Sequence, residues 1–352
     1  MTTAEAIDLV MTARDGTQLF GTSAPARRYH QLARLLHPDT AAGGTAARAR
    51  ATAAFIRLTG LWQQGTAASD VSLDTGRRRY VIEAGPRYAG DLADLYRHRG
   101  TPSTGAGRFV DGELVKIPRD PANNDLMARE VTALRQLVDR GDPRYLPYVP
   151  RLVDSFRHRD TGGAGTVRQI SVVGTATGLR SLAEVRRAYP QGVDPRDAAW
   201  MFRRLLVGLG FAHRAGVVHG AVLPDHVLIQ PDEHGVVLID WCYASTSGEA
   251  VPALVASYRD WYPDEIRQRR TPGPGTDIAM AAGCLAWLTG DRAPNAIRRF
   301  TAGCRLAALR RRPDDAWRLL AEFDDLLERL YGPRRFRPFA VADPIPTEDH
   351  DK

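Results

Sequence analysis

Between Gly216 and Cys242 the chain reads GVVHGAVLPDHVLIQPDEHGVVLIDWC. Two short apolar runs, Val227-Leu228-Ile229 and Val236-Val237-Leu238-Ile239, are separated by Pro231, Asp232, Glu233, His234 and Gly235. Short apolar runs joined by turn residues make a β-hairpin. Each end of this hairpin carries polar side chains: His219 and His226 before it, Asp240 directly after it. An acid where a buried strand ends is a candidate metal or phosphate ligand, because the strand fixes its position. Taken alone, the residues favour the plainer reading, a capping Asp after a core strand.

The rest of the composition sets bounds. A chain of 352 residues is long enough for two domains with separate cores. At 43% apolar and 25% charged residues it has the composition of an ordinary globular protein. It contains no apolar run of membrane-spanning length, and its first residues, MTTAEAIDLVMTARDG, carry early acids and no apolar signal core. Cys242, Cys284 and Cys304 are widely spaced and do not form a zinc pattern with the histidines, which points to reduced thiols and a cytoplasmic location. The net charge of +7 comes from scattered arginines without a recognition helix or an aromatic-basic strand, so solvated faces are expected rather than a nucleic-acid partner. Lysine is used only at Lys116 and Lys352. A Lys inside an apolar strand of such a chain calls for a compact ammonium, either in a site or with its head in water.

In chain order, a short helical pattern (Ala4, Ile7, Leu9, Val10) breaks at Asp15-Gly16. A helix from about 24 to 36 puts Tyr29, Leu32, Ala33 and Leu36 on one face and Arg27, Arg28, Gln31 and Arg34 on the other. His37-Pro38-Asp39 ends it, and another helix runs from about 46 to 64 with Ala51, Phe55, Leu58, Leu61 and Trp62 at helical spacing. A basic amphipathic helix ending in HPD, then a loop and a helix, resembles the J-domain of DnaJ-type co-chaperones. The resemblance implies that His37, Pro38 and Asp39 engage a DnaK-class ATPase.

Residues 67–79 are small and polar and read as a linker. Strands follow at Tyr80-Val81-Ile82, Asp91 to Arg97 and Glu113 to Ile117, then a helix from about 124 to 140 and a strand from Gln169. Helices are expected at about 181–188, 195–215, 276–290 and 313–331. With His219 to His226 and Asp240-Trp241-Cys242, this order resembles the protein kinases, whose HRDLKPEN segment is followed by a hairpin and DFG. The resemblance implies a nucleotide site of Gly90 (the one glycine kept from the glycine loop), Lys116, Glu130, His226 and Asp240. ATP with Mg²⁺ would be its cofactor, His226 and Asp240 the metal positions. It also implies structural roles for His219, Glu265, Asp277 and Arg312. The family's catalytic Asp falls on Ala221, so no catalytic base is assigned.

The fold class expected is α+β: a J-domain-like helical hairpin over 1–66, a linker over 67–79 and a bilobal kinase-like fold. Its N-lobe would span 80–175 and its helical C-lobe 176–339, with a disordered acidic tail over 340–352. The function expected is a co-chaperone or regulator with a pseudokinase domain that binds Mg-nucleotide weakly and an undefined protein client. The alternatives are an active atypical Ser/Thr kinase or AMP transferase, and a nucleotide-free scaffold. A metal site of His213, His219 and His226 is a further option.

Overall fold

The computed structural model describes residues 2–14, 16–20, 25–36, 50–58, 61, 71–74, 79–82, 88–89, 92–98, 112–159, 165–175 and 178–341. His37, Pro38, Asp39, Trp62, Gly90 and residues 342–352 of the acidic tail lie outside them. The chain forms two compact units, one of Met1–Tyr88 with Tyr96–Gly100 and one of Ala89–Leu95 with Thr101–Lys352.

In the smaller unit, α1 (Thr3–Thr12) starts with a capping box between Thr2 and Glu5. Short α2 (Gly16–Phe20) follows, then α3 (Pro25–Leu36) and α4 (50–58). Ala6, Ile7 and Val10 of α1, Leu32 and Leu36 of α3 and Ala51, Ala54 and Leu58 of α4 form one apolar core. The three- and four-residue spacing of these positions makes the buried stripe. Arg57 on α4 donates to the Val10 and Ala13 carbonyls at 3.1 and 2.9 Å, satisfying acceptors that the end of α1 leaves unpaired.

Of the segment expected as a linker, 67–79, the structure describes 71–74 and 79. Val71–Asp74 forms β1 and pairs antiparallel with β2 (Arg79–Ile82), with Leu73 opposite Tyr80. Leu73 and Tyr80 are buried, and that apolar pair gives the short strand a reason to form within a polar segment.

A five-stranded sheet, whose last three strands lie wholly in the larger unit, has the order β3 (Tyr88–Ala89), β4 (Ala93–Arg97), β5 (Gly112–Pro118), β7 (Val167–Thr175), β6 (Leu152–Arg159). Against it lies α5 (Asn124–Arg140), whose buried face is Leu126, Met127, Glu130, Val131, Leu134 and Leu137. A second sheet has β8 (Arg180–Ser181) beside the hairpin of β9 (Val227–Gln230) and β10 (Gly235–Leu238), where Val236 faces Ile229 and Leu238 faces Val227. The helices of this region are α6 (Leu182–Ala188), α7 (Pro195–Arg214), α8 (Asp264–Arg267), α9 (Pro274–Thr289), α10 (Asn295–Cys304) and α11 (Ala316–Tyr331). α9 is buried over nearly its whole length, as an all-round apolar helix must be. The last helix begins at Ala316 rather than Pro313, because the Asp315 carboxylate accepts from the backbone N–H groups of Trp317 and Arg318 and so caps it there.

Two elements have weak sequence signals. β6 lies at the sheet edge, where Asp154, Arg157, His158 and Arg159 interrupt the apolar alternation. α10 buries only Ile297, Thr301 and Cys304, a stripe narrow enough to pass unnoticed. Among the described residues no helix is long and apolar enough to cross a membrane.

Candidate functional site

Lys116 lies in β5, itself buried beside buried Val115 and opposite Ser171 of β7. The strand therefore carries the ammonium inward. One and a half turns into α5, the apolar stripe that seats the helix also turns Glu130 towards the same place. The Lys116 Nζ stands 2.9 and 3.0 Å from the two Glu130 oxygens. After β10 the backbone enters the left-handed region at Asp240 (φ 61°, ψ 52°), a conformation Asp tolerates better than most residues. That turn brings Asp240 Oδ1 to 2.5 Å from Lys116 Nζ and Cys242 Sγ to 3.4 Å.

Three donors of one ammonium thus meet two carboxylates and a thiol. Burial by itself would lower the Lys116 pKa, but the Asp240 and Glu130 carboxylates outweigh it and hold the pKa well above its ordinary value. Burial opposes ionisation of Asp240 in turn, while Lys116, His226 and His219 bring its pKa down to about 2. Burial raises the Cys242 thiol, so it stays protonated. Glu130, Asp240 and Cys242 lie close enough to hold a metal ion, but the Lys116 ammonium already occupies the position they surround. Only the fold brings Cys242 here; nothing in the cysteine spacing marks it.

His226 sits on the other side of Asp240, with Nε2 3.6 Å from Oδ2. Its Nδ1 is 2.9 Å from the Ala221 carbonyl oxygen, and its ring stacks on Tyr243. The structure therefore brings together Lys116, Glu130, His226 and Asp240 of the expected nucleotide site. Gly90 lies outside the described residues.

A rigid frame holds the loop before the hairpin. The fully buried Asp277 of α9 accepts from His219 N and Gly220 N at 2.8 Å each and contacts His213 Nε2 at 2.9 Å. Gly220 has φ +74°, and a Cβ there would meet the Tyr243 carbonyl oxygen at 2.8 Å, so only glycine fits. His219 Nε2–H donates to the Ile239 carbonyl at 2.9 Å, and Nδ1 accepts from Ala221 N–H at 3.3 Å. Burial moves its pKa down to about 4, so the ring is neutral at pH 7. Further out, Arg312 Nη1 and Thr276 Oγ1 donate to Glu265 at 2.6 and 3.0 Å, and the Arg–Glu pair is almost wholly buried.

The three-histidine metal site is corrected by the same geometry. His213 turns to Asp277, His219 to Ile239 and His226 to Ala221, so their ring nitrogens do not converge.

Ala221 is fully buried and offers no proton acceptor except its carbonyl, which His226 uses. The acid nearest in sequence, Asp225, is exposed and accepts from the Tyr258 hydroxyl at 2.7 Å. The segment after Asp240 is ordered. Val218 and Ser245 form a β-bridge, and Arg129 of α5 donates to the Ala244 carbonyl and to Glu249.

A sheet-rich lobe presenting a Lys–Glu pair from β5 and α5, joined to a helical lobe whose hairpin ends in Asp240, is a protein-kinase-like fold. Among solved structures the chain is similar to the BubR1 kinase domain, with a TM-score of 0.55 and 13% identity over 74% of this chain and 83% of that one. In sequence, 58 residues are 38% identical to casein kinase II subunit alpha' of Saccharomyces cerevisiae (strain ATCC 204508 / S288c). That stretch is 16% of this chain and spans only 17% of the length of the yeast protein. No family model matches the chain.

Proposed function

We propose that the larger unit is a pseudokinase that binds Mg-nucleotide weakly and transfers no phosphoryl group to protein, and that the N-terminal helices form a J-domain-like co-chaperone module. The observation that carries the first part is an asymmetry within one cluster of side chains. Lys116, Glu130 and Asp240 meet within hydrogen-bond distance, while the position of the base holds buried Ala221. A positioned general base contributes about 10²–10⁴ in rate, so its loss leaves a site suited to binding rather than turnover. The residues fit a bound nucleotide: Lys116 would pair with phosphate oxygens, Asp240 would hold the cation and Glu130 would fix the Lys. The cation supplies charge neutralisation of the phosphates.

The test has two arms. Thermal-shift titration of ATP with and without Mg²⁺ is expected to give a small, metal-dependent rise, since a ligand of the folded state stabilises by RT ln(1 + [L]/Kd). Incubation with γ-labelled and α-labelled ATP and general acceptors is expected to leave both labels on the nucleotide. Transfer of γ-label lost in Lys116→Ala would mean an active kinase, and transfer of α-label an AMP transferase. No shift at all would mean a nucleotide-free scaffold.

What supports the co-chaperone part is the amphipathic α3, with Leu32 and Leu36 in the core and Gln31 exposed, ahead of His37-Pro38-Asp39. His37→Gln is expected to remove stimulation of a DnaK-class ATPase. Equal stimulation by parent and variant would sink it.

A further inference from the structure

We propose that the surface formed by α8, α9 and the segment after α10 docks an acidic peptide of a partner protein, anchored beside Trp261 and Arg305. It uses none of the residues of the Lys116 cluster and does not rest on nucleotide binding.

Small residues on α9 create the space. Ala279 and Gly283 lie four residues apart and so share one face of the helix. A cavity of about 200 Å³ opens there, lined by Trp261, Tyr262 and Pro263 ahead of α8, by Ala279, and by Arg305 and Ala307 beyond α10. A Cβ added at Gly283 would stand 3.9 Å from the Trp261 ring and 4.0 Å from Arg305 Nε, so the indole and the guanidinium flank one point of the helix. Arg305 and Ala307 are exposed, which leaves the cavity open to solvent on their side. Small-molecule pockets run to roughly 300–1,000 Å³, so this one suits a side chain of a peptide rather than a cofactor.

Charge decides what the peptide carries. Over residues 260–270 and 305–312 the acids are Asp260, Asp264 and Glu265. Asp264 is held by Arg267, and Glu265 by Arg312. Asp260 is left against Arg269, Arg270, Arg305, Arg310 and Arg311, all exposed and none in an ion pair among the described residues. Unpaired guanidiniums in excess attract carboxylates and can hold them in bidentate pairs. Asp260 repels a phosphate backbone laid across the mouth of the cavity. A peptide can set its carboxylates beside the arginines and leave Asp260 to solvent, which favours a peptide over a nucleic acid.

The anchor point is already rigid. Trp261 is half-buried, and Tyr258 and Trp287 hold its ring edge-on at 5.6 Å each. Arg186 lies over the Trp287 ring at 5.9 Å and fixes the next ring in turn. Trp and Arg dominate the binding energy of protein interfaces, and a surface fixed in advance loses little entropy when a side chain enters.

The test selects displayed random peptides on the immobilised full chain. Selected peptides are expected to carry Asp or Glu on both sides of one large apolar residue, and to bind more weakly as salt is raised. Arg305→Glu, at an exposed position, is expected to weaken them by at least about tenfold and, used as the bait, to select peptides without the acidic bias. An unchanged urea midpoint in that variant separates lost binding from lost fold. Ala279→Leu, which fills the cavity, is expected to weaken the same peptides by a similar factor. Selected peptides without acidic residues, or acidic peptides that bind Arg305→Glu as tightly as the parent, overturn the proposal. So does a selection that returns no peptide. A single-stranded oligonucleotide that displaces the peptides at equal or lower concentration also overturns it, since the face would then be a nucleic-acid surface.

Discussion

Replacing Lys116 by Met would leave Glu130 with a buried carboxylate and no cation. The two side chains are 5% and 3% exposed, and both Glu130 oxygens lie within 3.0 Å of the ammonium. Removing one member of a buried ion pair costs about 3–5 kcal/mol, because the other charge stays in a low-dielectric site. Asp240, at 29% exposure, keeps access to water and adds little to this cost. The loss therefore comes from Glu130, and Lys116→Met is expected to destabilise the larger unit by about 3–4 kcal/mol. For a unit of this size that corresponds to a fall in Tm of roughly 6–16 °C. Adding Glu130→Gln removes the orphaned charge and should recover about 2 kcal/mol, a coupling that a double-mutant cycle reads directly. Urea unfolding followed by tryptophan fluorescence suits the measurement, since Trp241 is fully buried next to the site. A Lys116→Met variant within about 1 kcal/mol of the parent would refute the reasoning, as would a double variant less stable than the single one. One consequence concerns binding assays: loss of nucleotide binding in a Lys116 variant is interpretable only at a temperature where the variant is folded.

Two further outcomes are expected. His219 has a folded pKa of about 4 against an ordinary 6.5, so the unfolded chain binds more protons between those values. Its contribution is present in full above about pH 6.5 and is lost as pH falls towards 4, amounting to roughly 3 kcal/mol. Chemical denaturation at pH 7 and pH 4 should show His219→Gln with a pH slope shallower by that amount, and an unchanged slope would be inconsistent with a neutral buried ring. At the second ion pair, Arg312→Met should cost about 3–5 kcal/mol by orphaning Glu265 and the Leu306 and Ala307 carbonyls that Arg312 also serves, with Glu265→Gln restoring part of it; a urea midpoint unchanged in Arg312→Met would count against this.

Much of this protein was legible in local pattern. The hairpin of β9 and β10 follows from two short apolar runs around Pro231–Gly235, and α3, α5 and α7 follow from apolar positions at three- and four-residue spacing. Lys116 stood out because the chain writes nearly all its other cations as Arg. These signals are local, set by backbone geometry and by the need to bury one face of an element.

Other features depend on contacts between residues far apart in sequence. Edge strand β6 forms because β7 offers a row of backbone partners, and β1 forms because Leu73 meets Tyr80. Composition gives neither away. The place of Cys242 at the Lys116 ammonium, the use of Asp225 by Tyr258 and the separation of His213, His219 and His226 onto three different partners were likewise beyond sequence spacing. The sequence by itself determined which elements form and which chemical groups they carry, because propensity and periodicity act within a few residues. Only the tertiary structure decided which carboxylate meets which cation, because those pairings are set by how helices and sheets pack across more than a hundred residues of chain.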